Sequence, residues 1–249
     1  MIEIRGVVKT FDGFRALDGL DMTVPKGAVY GLVGPNGSGK STIIRHLTGI
    51  YRQDSGQVLV DGEPVYENTA KKAKMAYIPD DIFYFLQASV RDMKKYYSGI
   101  YPNWSNERYE KLKPVFELDE KMPIRRMSKG MQKQACFWLS MSMSPEILML
   151  DEPVDGLDPV MRRQIWSIIM GDVAEHGTTV LVSSHNLREL EDVCGRVGII
   201  DHGRLLLERD LDELQEAQPL FADALPLSLE EIFIYELGGK DYAVKDIIL

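Results

Sequence analysis

The stretch GPNGSGKST, residues Gly34, Pro35, Asn36, Gly37, Ser38, Gly39, Lys40, Ser41 and Thr42, decides how this chain is read. Before it runs Ala28–Val33, apolar enough to be a buried strand. After it comes Thr42–Thr48, with Ile43, Ile44 and Leu47 on one helical face and Gly49 as a C-terminal stop. Strand, glycine-rich turn and helix are together the context of a phosphate-binding loop. Glycines let backbone N–H groups curl inward without Cβ clashes, and the helix N-terminus adds the positive end of its dipole. In such a loop Lys40 reaches the β- and γ-phosphates and the Ser41 hydroxyl holds Mg²⁺. A chance glycine-rich turn is the bland alternative, and the placement of strand and helix argues against it.

Working outward, the 249 residues suffice for a substantial core, in one domain or two closely joined lobes. Hydrophobic residues make up 45% and charged residues 27%, the balance of a soluble globular protein. The formal charge of −9 argues against a nucleic-acid surface, which needs a basic face. No apolar run approaches bilayer length, and Glu3, Arg5 and Lys9 break up the start of the chain. The expectation is a cytoplasmic protein, and any work at a membrane requires another chain to span it. Cys136 and Cys194 lack metal or redox spacing and read as small core residues. His46, His176, His185 and His202 show no ligand spacing either.

Ile2–Lys9 alternates like an edge or half-exposed strand, Phe11–Leu17 reads as a turn, and Leu20–Val24 as a second strand. Phe11 lies 29 positions before Lys40, on a loop able to fold back over a nucleotide base, although such an aromatic is more often a core residue. Beyond the loop helix, Gly56–Val60 and Pro64–Tyr66 form a hairpin around Asp61-Gly62, and Met75–Ile78 is a short strand broken by Pro79-Asp80-Asp81. From Ile82 to Ser144 the texture turns helical. Val90–Tyr97 is one helix. Ser105 caps another whose Tyr109, Leu112 and Phe116 share a face and whose Pro114 should split or kink it, and Ser128 caps a third reaching about Ser142. Sheet texture returns at Ile147–Leu150 and Thr178–Ser183, with helices over Arg162–Val173 and Leu187–Val193. A last hairpin, Val197–Ile200 with Leu205–Glu208, precedes a mixed tail with a helix over Leu229–Leu237. The expected fold is α/β with three parts. Residues 1–80 and 145–210 build the nucleotide-binding core, including an N-terminal antiparallel β subdomain. Residues 81–144 form an inserted helical subdomain, and 211–249 the tail.

Asp151 and Glu152 end an apolar strand, at the sheet edge where α/β folds place ligands. One carboxylate there can hold the magnesium shell, and the next can orient or deprotonate a water. Solvated turns also carry Asp-Glu pairs, but the four apolar residues before this one and the upstream loop favour chemistry. His185 ends the next buried strand, beside Glu152, within reach of a γ-phosphate, although a lone histidine at a strand end is more often structural.

These motifs, in this order and spacing, resemble the ATP-binding subunit of ABC transporters over nearly the whole chain. GPNGSGKST resembles the Walker A loop of that P-loop NTPase (RecA-like) fold, and ILMLDEP (Ile147–Pro153) the Walker B strand with its catalytic glutamate, Glu152. GLDP (Gly156–Pro159) is similar to the D-loop, with Asp158 in the dimer contact, and Ser183–His185 to the switch-histidine segment. MSKGMQKQ (Met127–Gln134) stands where the family has its LSGGQ signature, and Phe11, followed by Ala16, where it has an adenine-stacking aromatic. The resemblance implies two subunits closing head to tail around two ATP molecules, with Ser128, Lys129, Gly130 and Met131 capping the γ-phosphate in trans. The pair is two copies or this chain with a paralogue, driving a transmembrane permease from the inner face of the membrane.

Three positions depart from the family pattern. Lys129 and Met131 replace a glycine and a glutamine of the signature, and Asp80 stands where the glutamine loop has its glutamine. A carboxylate there keeps a hard oxygen for Mg²⁺ but loses the donor to water, so Asp80 is expected either in a metal-linked or coupling role or as part of a plain Pro-Asp-Asp turn. Ile82, Phe83, Tyr84 and Phe85 lie on the edge where family members receive the permease, at least half of them expected in the lobe core. SLEEIFIYELGG (Ser228–Gly239) is similar to the C-terminal helix of ABC-2-type exporters of the bacitracin and lantibiotic kind, which points to export. Two other readings compete. A non-transport ABC ATPase working on DNA or ribosomes would carry a long coiled-coil insertion or a second cassette. A phosphate-loop kinase or GTPase would leave the Ser128 helix and His185 unexplained.

Overall fold

Two sheets divide the chain, each where the sequence supplies the matching texture. The computed structural model describes residues 1–185, 187–216 and 228–238. In chain order the first elements are β1 (Ile2–Phe11), β2 (Phe14–Val24), β3 (Val29–Val33), α1 (Lys40–Leu47), β4 (Ser55–Val60), β5 (Glu63–Pro64), α2 (Thr69–Lys72) and β6 (Met75–Ile78). The helical insertion supplies α3 (Val90–Ile100), α4 (Asn106–Phe116) and α5 (Lys129–Ser142). Then follow β7 (Ile147–Asp151), α6 (Pro159–His176), β8 (Thr179–Ser184), α7 (Leu187–Val193), β9 (Arg196–Asp201), β10 (Arg204–Asp210), α8 (Leu211–Glu216) and α9 (Leu229–Gly238).

The smaller sheet is antiparallel, ordered β2-β1-β4-β5. Strand β1 is half-exposed as expected but lies inside the sheet, bonded on both sides, and is no edge. The expected turn over Phe11–Leu17 contracts to Asp12-Gly13, with φ of 46° and 85°. Two left-handed residues match the twist of a hairpin, so Phe14 pairs straight back onto Phe11 and the following residues stay in β2. The second half of the next hairpin is shorter than expected, since only Glu63–Pro64 pairs, opposite Leu59 and Val60.

The larger sheet runs β10-β9-β3-β8-β7-β6, parallel from β9 to β6 with β10 turned back against β9. Strands β3, β7 and β8 are buried along their whole length, as continuous apolar strands covered on both faces must be. Register matters most here. Val33 pairs with Ser184 and Asp151 with Ser183, so the carboxyl ends of β3, β8 and β7 finish level.

Each insertion helix starts on a serine. Ser89 forms a capping box with Asp92, Ser105 accepts from the Arg108 N–H at 3.1 Å, and Ser128 from the Met131 N–H at 3.2 Å. Pro114 neither splits nor stops α4, which continues to Phe116 before Glu117 turns left-handed at φ 49°. So near the C-terminal end, the missing N–H and the ring disturb only the last turn. Helix α6 starts earlier than the expected Arg162, because Asp158 caps Pro159 onward by accepting from the Val160 and Met161 N–H groups, both at 3.0 Å. Cys136 and Cys194 are buried free thiols, and burial raises the pKa of both, making them weaker acids. Parts of the expected tail lie outside the described residues. Among those described, α9 packs on α7, and no helix is long and apolar enough to cross a membrane.

Trp138 on α5 anchors the insertion. It is fully buried, stacks on Tyr109 at 4.5 Å between ring centres, and donates from Nε1 to the Tyr109 carbonyl at 2.9 Å. Trp138→Ala is expected to lower stability by about 3–5 kcal/mol, measured as a shift in denaturant midpoint. An unchanged midpoint would mean that this ring does not carry the lobe.

Candidate functional site

The loop after β3 is shaped by contacts that no side chain could share. A Cβ on Gly34 would lie 2.3 Å from the Ile200 carbonyl oxygen and 2.6 Å from Ser38 Oγ. Gly39, the residue that opens α1, has φ 114° and faces the Ala16 carbonyl, 3.0 Å from where a Cβ would sit. Ala16 thus borders the loop through its backbone. Three donors are gathered in the cradle. Ser38 Oγ is buried without a protein partner. The helix start has no side-chain cap. Lys40 is buried, with Nζ 2.6 Å from the Gly34 carbonyl and 3.2 Å from that of Pro35. Burial lowers the Lys40 pKa, while Glu152 and Asp151 oppose the shift. An orphaned hydroxyl, free N–H groups and an ammonium suit an oligophosphate. Asn36 and Gly37 form the exposed tip, and Thr42, half-buried, lies in the first turn of α1.

Level strand ends bring the acidic groups to this loop. Asp151 is buried and accepts from Ser41 Oγ at 3.1 Å and Ser183 Oγ at 2.5 Å, both through Oδ1. An aspartate and a loop serine in contact offer the hard oxygen set that Mg²⁺ prefers. Glu152 follows with φ 46°, left-handed for a non-glycine residue. Its Oε2 meets His185 Nδ1 at 2.9 Å and the His185 N–H at 3.3 Å. Burial raises the Glu152 pKa, and His185 and then Lys40 pull it down. Glu152, Asp155 and His185 bring ligand-capable atoms within 4.8 Å of one another. A cavity of about 420 Å³ opens here, walled by Gly34–Asn36, Asp80, Glu152, Asp155, His185 and Phe233 of α9.

Other expected residues lie apart from this cluster. Phe11 meets Tyr51 edge-on at 5.1 Å, with Lys9 Nζ 5.3 Å from its ring centre. Ser128, Lys129, Gly130 and Met131 open α5, none of them lining the cavity. Gly130 leaves just enough room for the Gly156 carbonyl, 3.1 Å from where its Cβ would be. Asp158 is occupied as a helix cap. Asp80, on the cavity wall, pairs with Lys133 at 3.7 Å. In the aromatic segment Ile82 and Tyr84 turn into the core, while Phe83 and Phe85 are exposed.

The family profile described as ABC transporter matches residues 17–155. The chain belongs to this family of ATP-binding cassettes, and it is an ATPase of that kind. The ABC transporter ATP-binding protein YtrB of Bacillus subtilis is 34% identical over 87% of this chain and 74% of its own. The daunorubicin/doxorubicin resistance ATP-binding protein DrrA of Streptomyces peucetius is 34% identical over 92% and 71%. The lantibiotic transport ATP-binding protein SrtF of Streptococcus pyogenes is 31% identical over 89% and 96%. A solved ATP-binding subunit of an ABC transporter superposes with a TM-score of 0.85 at 23% identity, covering 95% of this chain and 99% of that one. A dimeric cassette in a post-hydrolysis state with ADP and Pi superposes at 0.74 and 20% identity, over 85% and 99%. At such identity the structures speak for the fold alone, and they share the cassette architecture seen here.

Three residues of the site escaped the sequence reading: Asp155, Lys133 and Phe233. Asp155 is one more acid in a turn, and Phe233 one more apolar residue in a helix, so neither carries a signal. Lys133, between Gln132 and Gln134 ahead of the apolar run of the Ser128 helix, carries none either. Gly34→Ala is expected to lose about 1–3 kcal/mol of stability, because its Cβ meets backbone that cannot step aside. A thermal melt matching the parent protein would show that the loop relaxes around it.

Proposed function

We propose that this chain closes in pairs around ATP, two copies or one with a paralogue, and drives a separate transmembrane permease in export from the inner face of the membrane. The observation that carries this reading is the single cluster in which Ser41 and Ser183 share Asp151 while Glu152 faces His185 at the mouth of the phosphate loop. Lys40 and the loop N–H groups would neutralise and hold the phosphates. Glu152 would take a proton from the attacking water, and His185 would orient it or touch the γ-phosphate. Ser41 and Asp151 would hold Mg²⁺, which when bound neutralises phosphate charge. For Asp80 the Lys133 pairing favours the coupling role over a place in the metal shell. Phe11 with Ala16 would form the adenine side of the pocket.

Ser128 and the backbone at Gly130 would meet the partner's nucleotide, with Asp158 at the dimer contact. A helix start already capped by its own serine is stiff enough to present N–H groups to a phosphate. Exposed Phe83 and Phe85 support the permease contact. The named resistance and lantibiotic relatives support export, and the acidic net charge weighs against the DNA or ribosome alternative.

Glu152→Gln should bind ATP without turning it over and run as a dimer on size-exclusion chromatography in Mg-ATP. A monomer at saturating nucleotide would sink the paired model. Lys40→Ala should weaken ATP binding by about ten- to a hundredfold, as expected for loss of a charge-assisted contact. Calorimetry reads this directly, and an unchanged dissociation constant would remove Lys40 from the site.

A further inference from the structure

Lys133 is a buried ammonium with a specific set of acceptors. It lies on α5, with about 5% of its surface exposed. Its Nζ donates to the Glu152 carbonyl at 2.7 Å and to the Asp155 carbonyl at 3.3 Å, and lies 3.7 Å from Asp80 Oδ1. Two hydrogen bonds to carbonyl oxygens and one ion pair thus hold the ammonium, which is what lets a charge stay inside the protein. Two of those acceptors are the ends of one turn, Glu152 to Asp155. Glu152 holds φ 46°, a strained conformation that a non-glycine residue keeps only where its surroundings enforce it. The enforcing bonds are visible on both sides of the residue. Its N–H donates to the Ser183 carbonyl at 3.1 Å, and its own carbonyl accepts from Lys133.

We propose that Lys133 is a positioning residue that clamps the glutamate-bearing turn to α5, with Asp80 as its counter-charge. The clamp fixes the direction of the Glu152 carboxylate toward His185. It also makes any rotation of the helical lobe arrive at Glu152, while the phosphate loop, anchored on β3 and α1, stays where it is. A carboxylate at position 80 then has a physical reason: a glutamine would give the buried ammonium no opposite charge. The clamp rests on Glu152 acting as proposed above. The two ideas fail differently, because inability of the parent protein to hydrolyse ATP would strike the site assignment, while the variants below concern only the clamp in a protein that does hydrolyse it.

The test is steady-state ATPase kinetics of the full chain, with melting temperature as the control for folding. Lys133→Met should lower kcat about tenfold or more, with KM for ATP within about twofold, because an aligned group is lost but nucleotide contacts are kept. Lys133→Arg keeps charge and donors and should recover part of the lost kcat. Asp80→Asn should lower kcat in the parent background and do nothing further in Lys133→Met, the non-additive pattern of residues acting through one another. Parent-like kcat in Lys133→Met would overturn the clamp. So would KM rising in step with the fall of kcat, together with a lowered melting temperature, which marks a merely structural lysine. A Lys133→Arg rate no better than that of Lys133→Met would overturn it too. Equal losses from Asp80→Asn in both backgrounds would remove Asp80 from the device.

Discussion

Everything at the site depends on three parallel strands ending at the same height. Parallel pairing fixes a slanted, even ladder in which a slip of one residue would turn every side chain to the opposite face. With Val33 opposite Ser184 and Ser183 opposite Asp151, the loop after β3, the aspartate closing β7 and the histidine after β8 reach one edge together. The hydroxyls of Ser41 and Ser183 then meet on one carboxylate oxygen, tying helix, strand and strand at a single atom. The apolar runs that make these strands bury completely are therefore also what aims the polar groups. The burial of Val29–Val33, Ile147–Leu150 and Thr179–Val182 holds the register, and the register holds the chemistry.

Gathering charges at a buried edge is costly unless each finds partners. The chain meets that requirement with backbone oxygens as well as with ion pairs. Lys40 rests on two carbonyls of its own loop, and Lys133 on two carbonyls of the Glu152 turn. Asp151 is satisfied by hydroxyls rather than by a cation. Such neutral partners hold a charge in place without cancelling its field. Lys40 keeps its attraction for anions and Asp151 its attraction for cations, the properties a nucleotide site requires.

The order of elements was legible because the sequence changes texture where the structure changes layer. β-branched runs mark the large sheet, and serine-capped helices rich in aromatics and methionine mark the insertion. The loop residues Gly34–Thr42 and the strand-end acids were legible for a firmer reason, since only glycine satisfies the crowding at Gly34 and the left-handed turn at Gly39. What failed was local. Two left-handed residues at Asp12-Gly13 suffice to reverse the chain, so the longer turn expected there dissolved into strand. Proline at position 114 sits too near a helix end to break it. Lys133 was hidden because its partners are carbonyl oxygens, which every residue has and no sequence pattern advertises.

Capping ties the insertion to the same logic. Ser128 spends its hydroxyl on the Met131 N–H, so the first turn of α5 is closed before any ligand arrives. Gly130 admits the Gly156 carbonyl where a Cβ would crowd it, and one turn later Lys133 grips Glu152 and Asp155. One face of this helix therefore touches the acidic turn at two levels, while its opposite contacts bury Trp138 in the lobe. A helix held at both levels cannot tilt without moving the turn, and a turn that carries Glu152 cannot move without changing what faces His185. In this architecture, the stiffness of a single helix is what links the lobe to the edge of the sheet.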